Sequence, residues 1–138
     1  METKKHIETV LFLRDLDLFK YFRAEEVFEL AHLGKWVSIK DTEVFRDGEK
    51  AKALYGIYEG KILQDFGPPL IRTLKRGQAF GHWSILSGRL RQGTAYAEGE
   101  VILFEIPAHA FVNLLSDNFD VIRALFQQLT DRFLFSGE

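Results

Sequence analysis

The sequence predicts a mainly β domain, a roll or sandwich of short strands with helices at both ends. Three observations carry this expectation. Apolar residues alternate with period two in short runs between Lys35 and Ile106, as half-buried strands require. Glycines punctuate those runs at turn positions. On either side of that region the apolar spacing changes to three and four, the helical period. The chain has 138 residues, enough to bury the core of one domain. The expected layout is a helical cover over about 4–34, strands over about 35–106 and C-terminal helices over about 107–135.

In chain order, residues 4–14 form a short helix with Ile7, Val10 and Leu11 on one face. A second helix runs from Ala24 to His32, with Val27, Leu30 and Ala31 inward, and Gly34 stops it. Strands follow at Trp36–Lys40, with Val37 and Ile39 facing in, and at Glu43–Arg46. Asp47-Gly48-Glu49 makes a tight turn. Leu54–Tyr58 is the next strand, and Glu59-Gly60 turns the chain into Lys61–Gln64. Gly67-Pro68-Pro69 is a rigid loop before the alternation from Leu70 to Leu74. Gly99-Glu100 is a hairpin turn before the last strand, Val101–Ile106. Pro107 opens a helix from Ala108 to Leu115 with Phe111, Leu114 and Leu115 inward. Asp117 caps a final helix whose stripe is Phe119, Ile122, Phe126, Leu129 and Phe133, widened by Leu125.

Composition narrows the function. Hydrophobic residues make up 46% and charged residues 28% of the chain, which argues against disorder. The 13 phenylalanines suit a barrel interior, because each buries a large area with no polar atom to satisfy. A net charge of −2 without a basic block argues against nucleic-acid binding by this chain alone. There is no cysteine, which removes disulfides, thiolate nucleophiles and Cys-based zinc sites. No apolar run is long enough for a membrane span, and Arg14 and Asp15 interrupt the only N-terminal apolar run, Val10–Leu13, so no secretory signal is read there. A cytoplasmic location without membrane insertion is therefore expected. The histidines His6, His32, His82 and His109 are widely separated and lack metal-ligand spacing. No nucleophile elbow or phosphate-loop lysine motif is present, and Tyr55, Tyr58 and Tyr96 read as barrel residues. The expectation is a non-enzyme with no cofactor and no metal.

The most informative stretch runs from Gly77 to Ala97. A turn of helix starts at His82, continues through Trp83, Ser84, Ile85 and Leu86, and ends at Gly88. Arg91 follows, and then the small residues Gly93, Thr94 and Ala95. Backbone N–H groups at a helix start and a nearby guanidinium fork together form a device for holding a phosphate.

Phe80-Gly81-x-x-x-Ile85-Leu86, Gly88, Arg91 and Thr94-Ala95-x-Ala97 resemble the phosphate-binding cassette of cyclic-nucleotide-binding domains. That family includes bacterial catabolite activator proteins and regulatory subunits of cAMP-dependent protein kinase. Three further segments are similar to it: Leu13-x-x-Leu16-x-Leu18-Phe19, Arg46-Asp47-Gly48-Glu49, and Leu54-Tyr55-x-Ile57-x-x-Gly60-x-Ile62. The resemblance covers about residues 13–135. It implies a jelly-roll-like β-roll with N-terminal helices and a C-terminal helix pair. It also implies a cyclic nucleotide such as cAMP beneath the cassette, with movement of the helices as the output.

Carried over residue by residue, the resemblance puts the phosphate on Arg91 and on backbone amides near Gly81 and Ser84. Thr94 follows the family's small pair, here Gln92-Gly93. His82 stands where the family has the glutamate that holds the ribose hydroxyl, and bulky Trp83 follows it. The candidate ligand-binding residues are therefore Gly81, His82, Trp83, Ser84, Arg91, Gln92, Gly93 and Thr94. A neutral imidazole has one acceptor nitrogen and one donor, so His82 does not reproduce the glutamate's contacts. An alternative keeps the fold without the ligand, as a domain acting in protein–protein interaction or dimerisation. The corresponding surface for a homodimer or a partner domain is the helix over about 118–135.

Overall fold

A computed structural model of the chain describes residues 6–118, 121–125 and 127–128. It shows an antiparallel β-roll flanked by helices. Helix α1 spans His6–Arg14, a 3-10 turn spans Asp17–Phe19, and α2 spans Ala24–Leu33. The strands are β1 (Lys35–Lys40), β2 (Glu43–Phe45), β3 (Ala53–Asp65), β4 (Ile71–Leu74), β5 (Ala79–Phe80) and β6 (Thr94–Pro107). Between β5 and β6 lies the short helix α3 (His82–Ser87), and α4 (Ala108–Asp117) follows β6. Residues 121–125 are also helical.

Two long strands organise the roll. β3 and β6 pair antiparallel from Ala53 opposite Pro107 to Asp65 opposite Thr94. β1 and β2 add to the free side of β6, while β4 and β5 add to β3, in the order β1-β6-β3-β4. The turn expected at Glu59-Gly60 and the hairpin turn expected at Gly99-Glu100 would break both long strands, and the structure corrects this. The chain passes straight through both points, and the β3–β6 register shifts on either side of Glu59. Gly60 takes φ of +97°, and a Cβ there would lie 2.5 Å from the Glu100 carbonyl oxygen. The glycine thus serves a bulge that bends one continuous strand, not a turn that ends it.

The interior is apolar and divides into two clusters. Leu13, Leu18, Phe19, Val27, Leu30, Phe104 and Phe111 fill the space between the helices and one end of the roll. Ile57, Ile62, Phe80, Ala97, Val101 and Leu103 fill the roll itself. In α2, Val27, Leu30 and Ala31 are buried as the helical period requires, and the Gly34 N–H closes the helix on the Leu30 carbonyl. In α4, Phe111 and Leu114 are buried and Leu115 is half-buried.

The Ile7–Leu11 face of helix α1 is not its buried one. Ile7 and Leu11 are 67% and 55% exposed, and Thr9 and Leu13 are buried instead. The Thr9 hydroxyl accepts the Trp36 indole N–H at 3.2 Å. This tethers the face that apolarity alone would have turned outward. Two further corrections lie at the C-terminal end. Asp117 is the last residue of α4 rather than a cap, and the Asn118 carbonyl receives the Val121 and Ile122 N–H groups. Val121, Ala124 and Leu125 are buried while Ile122 is 39% exposed, so Ile122 does not share the inward stripe with Leu125. Phe119, Phe126, Leu129 and Phe133 lie outside the described residues.

Candidate functional site

All eight expected ligand-binding residues line one cavity of about 690 Å³. That volume lies within the range of roughly 300–1,000 Å³ typical of small-molecule sites. The cassette brings them there through its glycines. β5 delivers Phe80 into the roll, and Gly81, at φ of +89°, turns the chain sharply into α3. Gly88, at φ of +70°, closes the helix through its N–H on Ser84 and Ile85. Both conformations are left-handed, where a side chain is strained.

Arg91 is the centre of the site. It is 3% exposed, yet it lies on the cavity wall. One guanidinium nitrogen donates to the Gly81 carbonyl at 2.6 Å, and the other donates to the Ala53 carbonyl. The guanidinium carbon lies 3.9 Å from the centre of the Phe45 ring, a cation–π arrangement. Among the described residues no carboxylate lies within ion-pair distance of it, and its Nε has no hydrogen-bond partner. Burial pulls the guanidinium below its ordinary value, opposed by the charges of Tyr55 and Glu49. A buried charge is ordinarily paired, because leaving water costs several kcal/mol.

The backbone around Arg91 is clamped by the turn that joins β2 to β3. The Arg91 N–H donates to the Glu49 carbonyl at 2.7 Å, and the Gly48 N–H donates to the Arg91 carbonyl at 2.9 Å. The Asp47 carboxylate accepts the Gly93 N–H at 2.6 Å, and the Thr94 hydroxyl accepts the Asp47 N–H at 3.1 Å. The Gly93 amide and the Thr94 hydroxyl are thus already engaged within the protein. His82 is buried, with its ring 4.7 Å from that of Trp83, while Trp83 and Ser84 are half-buried and Gln92 is exposed.

Residues from distant strands complete the wall. Cross-strand partners stack in rows on the inner face of the roll. Leu74, Ile62 and Ala97 form one row, and Arg72, Gln64 and Ala95 form the next. Arg72 Nε–H donates to the Gln64 side-chain oxygen at 3.2 Å. Beyond them Phe66 lies over Gly93, where a Cβ would sit 2.8 Å from its ring. Phe45, Gln64, Phe66, Arg72 and Leu74 all line the cavity. The sequence reading missed them as site residues, although the alternation from Leu70 to Leu74 placed Arg72 and Leu74 on one face. Lys20 and Asp17 reach the cavity from the N-terminal 3-10 turn and its end, and Gln128 from the C-terminal segment.

The histidines are less dispersed than their spacing implied. The His6 and His32 rings lie 4.1 Å apart, with Phe28 against both. Among the described residues no three metal-ligating side chains come together. Tyr55 packs inside the roll on Phe80, Tyr58 packs on its outer, helix-covered face against Phe12 and Trp36, and Tyr96 is 36% exposed. No helix among the described residues is long and apolar enough to cross a membrane.

A family model for the cyclic nucleotide-binding domain matches residues 39–118. The chain belongs to that family. The sensor domain of the transcriptional regulator DNR from Pseudomonas aeruginosa is 25% identical and superposes with a TM-score of 0.76, covering 89% of this chain and 91% of that one. The regulatory domain of Toxoplasma gondii protein kinase A, solved with cAMP, is 20% identical with a TM-score of 0.77, covering 94% of this chain. The regulatory subunit of a cAMP-independent protein kinase A from Trypanosoma brucei is 19% identical with a TM-score of 0.74, covering 98% of this chain. This chain spans 51% and 50% of the lengths of those two kinase subunits. No curated protein matches it in sequence.

Proposed function

We propose that this domain is a regulatory ligand sensor. Its cavity takes a cyclic nucleotide or a related phosphate-bearing anion, and the terminal helices transmit the binding event. The observation that carries this reading is Arg91, a buried guanidinium on a cavity wall without a carboxylate partner among the described residues. An arginine has five N–H donors. Two of its nitrogens hold the Gly81 and Ala53 carbonyls and each keeps a second N–H, which are the donors proposed to meet a phosphate. The amides from Gly81 to Ser84 are proposed as further donors. Such a site binds without making or breaking a bond, so the reading calls for no catalytic group.

The output in this reading runs through Asp17. Its N–H donates to the Gly77 carbonyl at 3.1 Å, and its carboxylate accepts the Ala79 N–H at 3.0 Å. Its carbonyl accepts the Gln128 side-chain N–H. One residue therefore joins the N-terminal turn, the strand entering the cassette and the C-terminal segment. A ligand that favours one arrangement of the cassette would shift the helices by its difference in affinity for the two arrangements.

The neighbours support a sensor without fixing its ligand. One was solved with cAMP and another is described as cAMP-independent. The test is thermal unfolding with cAMP or cGMP, for the wild type and for His82→Glu. A rise in Tm that grows with ligand concentration, and is larger in His82→Glu, supports the reading. No rise in either protein with these, or with the corresponding 3′,5′-bisphosphates, at millimolar concentration contradicts it.

A further inference from the structure

The charge around the cavity points to the class of ligand, and this inference rests on the sensor reading above. The whole chain carries a net charge of −2. Among the described residues the cavity wall nevertheless holds four cations, Lys20, Arg72, Arg89 and Arg91, against a single acid, Asp17. That acid is already committed, since its carboxylate accepts the Leu18 and Ala79 N–H groups at 2.6 and 3.0 Å. Among the described residues none of the four cations has a carboxylate within ion-pair distance. A single negative charge would pair Arg91 alone.

Arg72 is the best placed of the other three. It stands on the inner face of β4, two strands across from Ala95 in the register Arg72–Gln64–Ala95. Two strand spacings are about 10 Å. Arg72 is exposed, and among the described residues the bond from its Nε to the buried Gln64 side chain directs it and is its only one, leaving its terminal N–H groups for a ligand. We infer that the cavity takes a nucleotide-like ligand with at least two separate anionic groups, one at Arg91 and the second at Arg72. Lys20 and Arg89 add to the same field, which is strongest where water is partly excluded.

Calorimetric titration of the domain with adenosine 3′,5′-cyclic monophosphate and adenosine 3′,5′-bisphosphate, and with the guanosine pair, tests this. The bisphosphate of at least one base should bind at least about tenfold more tightly than its cyclic monophosphate. Arg72→Gln should abolish that advantage, weakening the bisphosphate by at least several-fold more than the cyclic monophosphate. Lys61→Gln, which alters an exposed cation outside the cavity, should change neither. Arg91-dependent binding of the cyclic form with no gain for the bisphosphate overturns this inference and leaves the sensor reading standing. Equal weakening of both ligands by Arg72→Gln also overturns it, because Arg72 would then not be a second position. Binding of none of the four compounds overturns both.

Discussion

The Arg91 guanidinium rests 3.9 Å above the Phe45 ring, with the Gly81 and Ala53 carbonyls at its edge. A buried cation is thus held by an aromatic face and two backbone dipoles, none of which neutralises it. The ring packs against the guanidinium, and in the proposed reading the charge so held meets the ligand's anionic group. Phe45→Leu keeps most of the apolar volume and removes the ring face. Cation–π contacts contribute about 0.5–2 kcal/mol. Phosphate-ligand affinity should therefore fall by about 2- to 30-fold, read by titration, with a change in unfolding free energy under about 1.5 kcal/mol.

The clamp on the far side of Arg91 depends on Gly93. Its φ is +103°, and a Cβ would meet the Phe66 ring at 2.8 Å and the Asp65 carbonyl at 2.9 Å. Gly77 has a similar φ of +91° but open space around it. Both Gly→Ala changes incur backbone strain of roughly 1–3 kcal/mol. Gly93→Ala adds overlap with Phe66 and the backbone, so it should be the more destabilising by at least about 1 kcal/mol in urea unfolding. Equal losses at the two positions would contradict the packing described for Phe66.

These positions also show what the sequence discloses. Gly81, Gly88 and Arg91 were legible because the cassette is local: the turn, the short helix and the arginine follow one another along the chain. Phe45, Gln64, Phe66 and Arg72 were not, because strand register brings them to the cavity from up to 46 residues away, as the Asp47–Gly93 bond illustrates. Gly60 and Gly99 read as turns because a bulge and a turn both call for a residue that tolerates positive φ. Only pairing across β3 and β6 separates the two. Which face of α1 is buried is not legible in the sequence for a similar reason, since the hydrogen bond from Trp36 to Thr9 spans 27 residues.

Tyr55 gives a pH-dependent prediction. Its ring stacks on Phe80 with centroids 5.2 Å apart. Burial, aided by the Glu105 charge, pushes its phenol up to about 12. The unfolded chain loses this proton near the ordinary tyrosine value of about 10. Tyr55 therefore contributes stability that is complete below about pH 10 and is lost as pH rises towards about 12. Ultraviolet tyrosinate titration should show a late step that is absent in Tyr55→Phe. The decline in stability over that window should also be shallower in the variant.

The link from Gln128 to Asp17 should carry the response of the C-terminal segment. In Gln128→Leu, ligand should still bind, because Arg91 and the cassette are untouched. Hydrogen exchange in residues 121–125 should then respond less to ligand than in the wild type. An unchanged exchange response would place the coupling elsewhere, through the packing of Val121 and Leu125 against the core.

Arg91 is proposed to hold the anionic group of the ligand. The most direct test of that role is calorimetric titration of the wild type, Arg91→Ala and Arg91→Lys with cAMP, cGMP and the two bisphosphates, with folding of each variant checked by circular dichroism. A charge-assisted hydrogen bond of this kind contributes about 1.5–3 kcal/mol. The expected result is binding to the wild type, a loss of at least about tenfold in Arg91→Ala, and partial retention in Arg91→Lys, which keeps the charge without the fork. Binding of the same strength in all three folded proteins would contradict it.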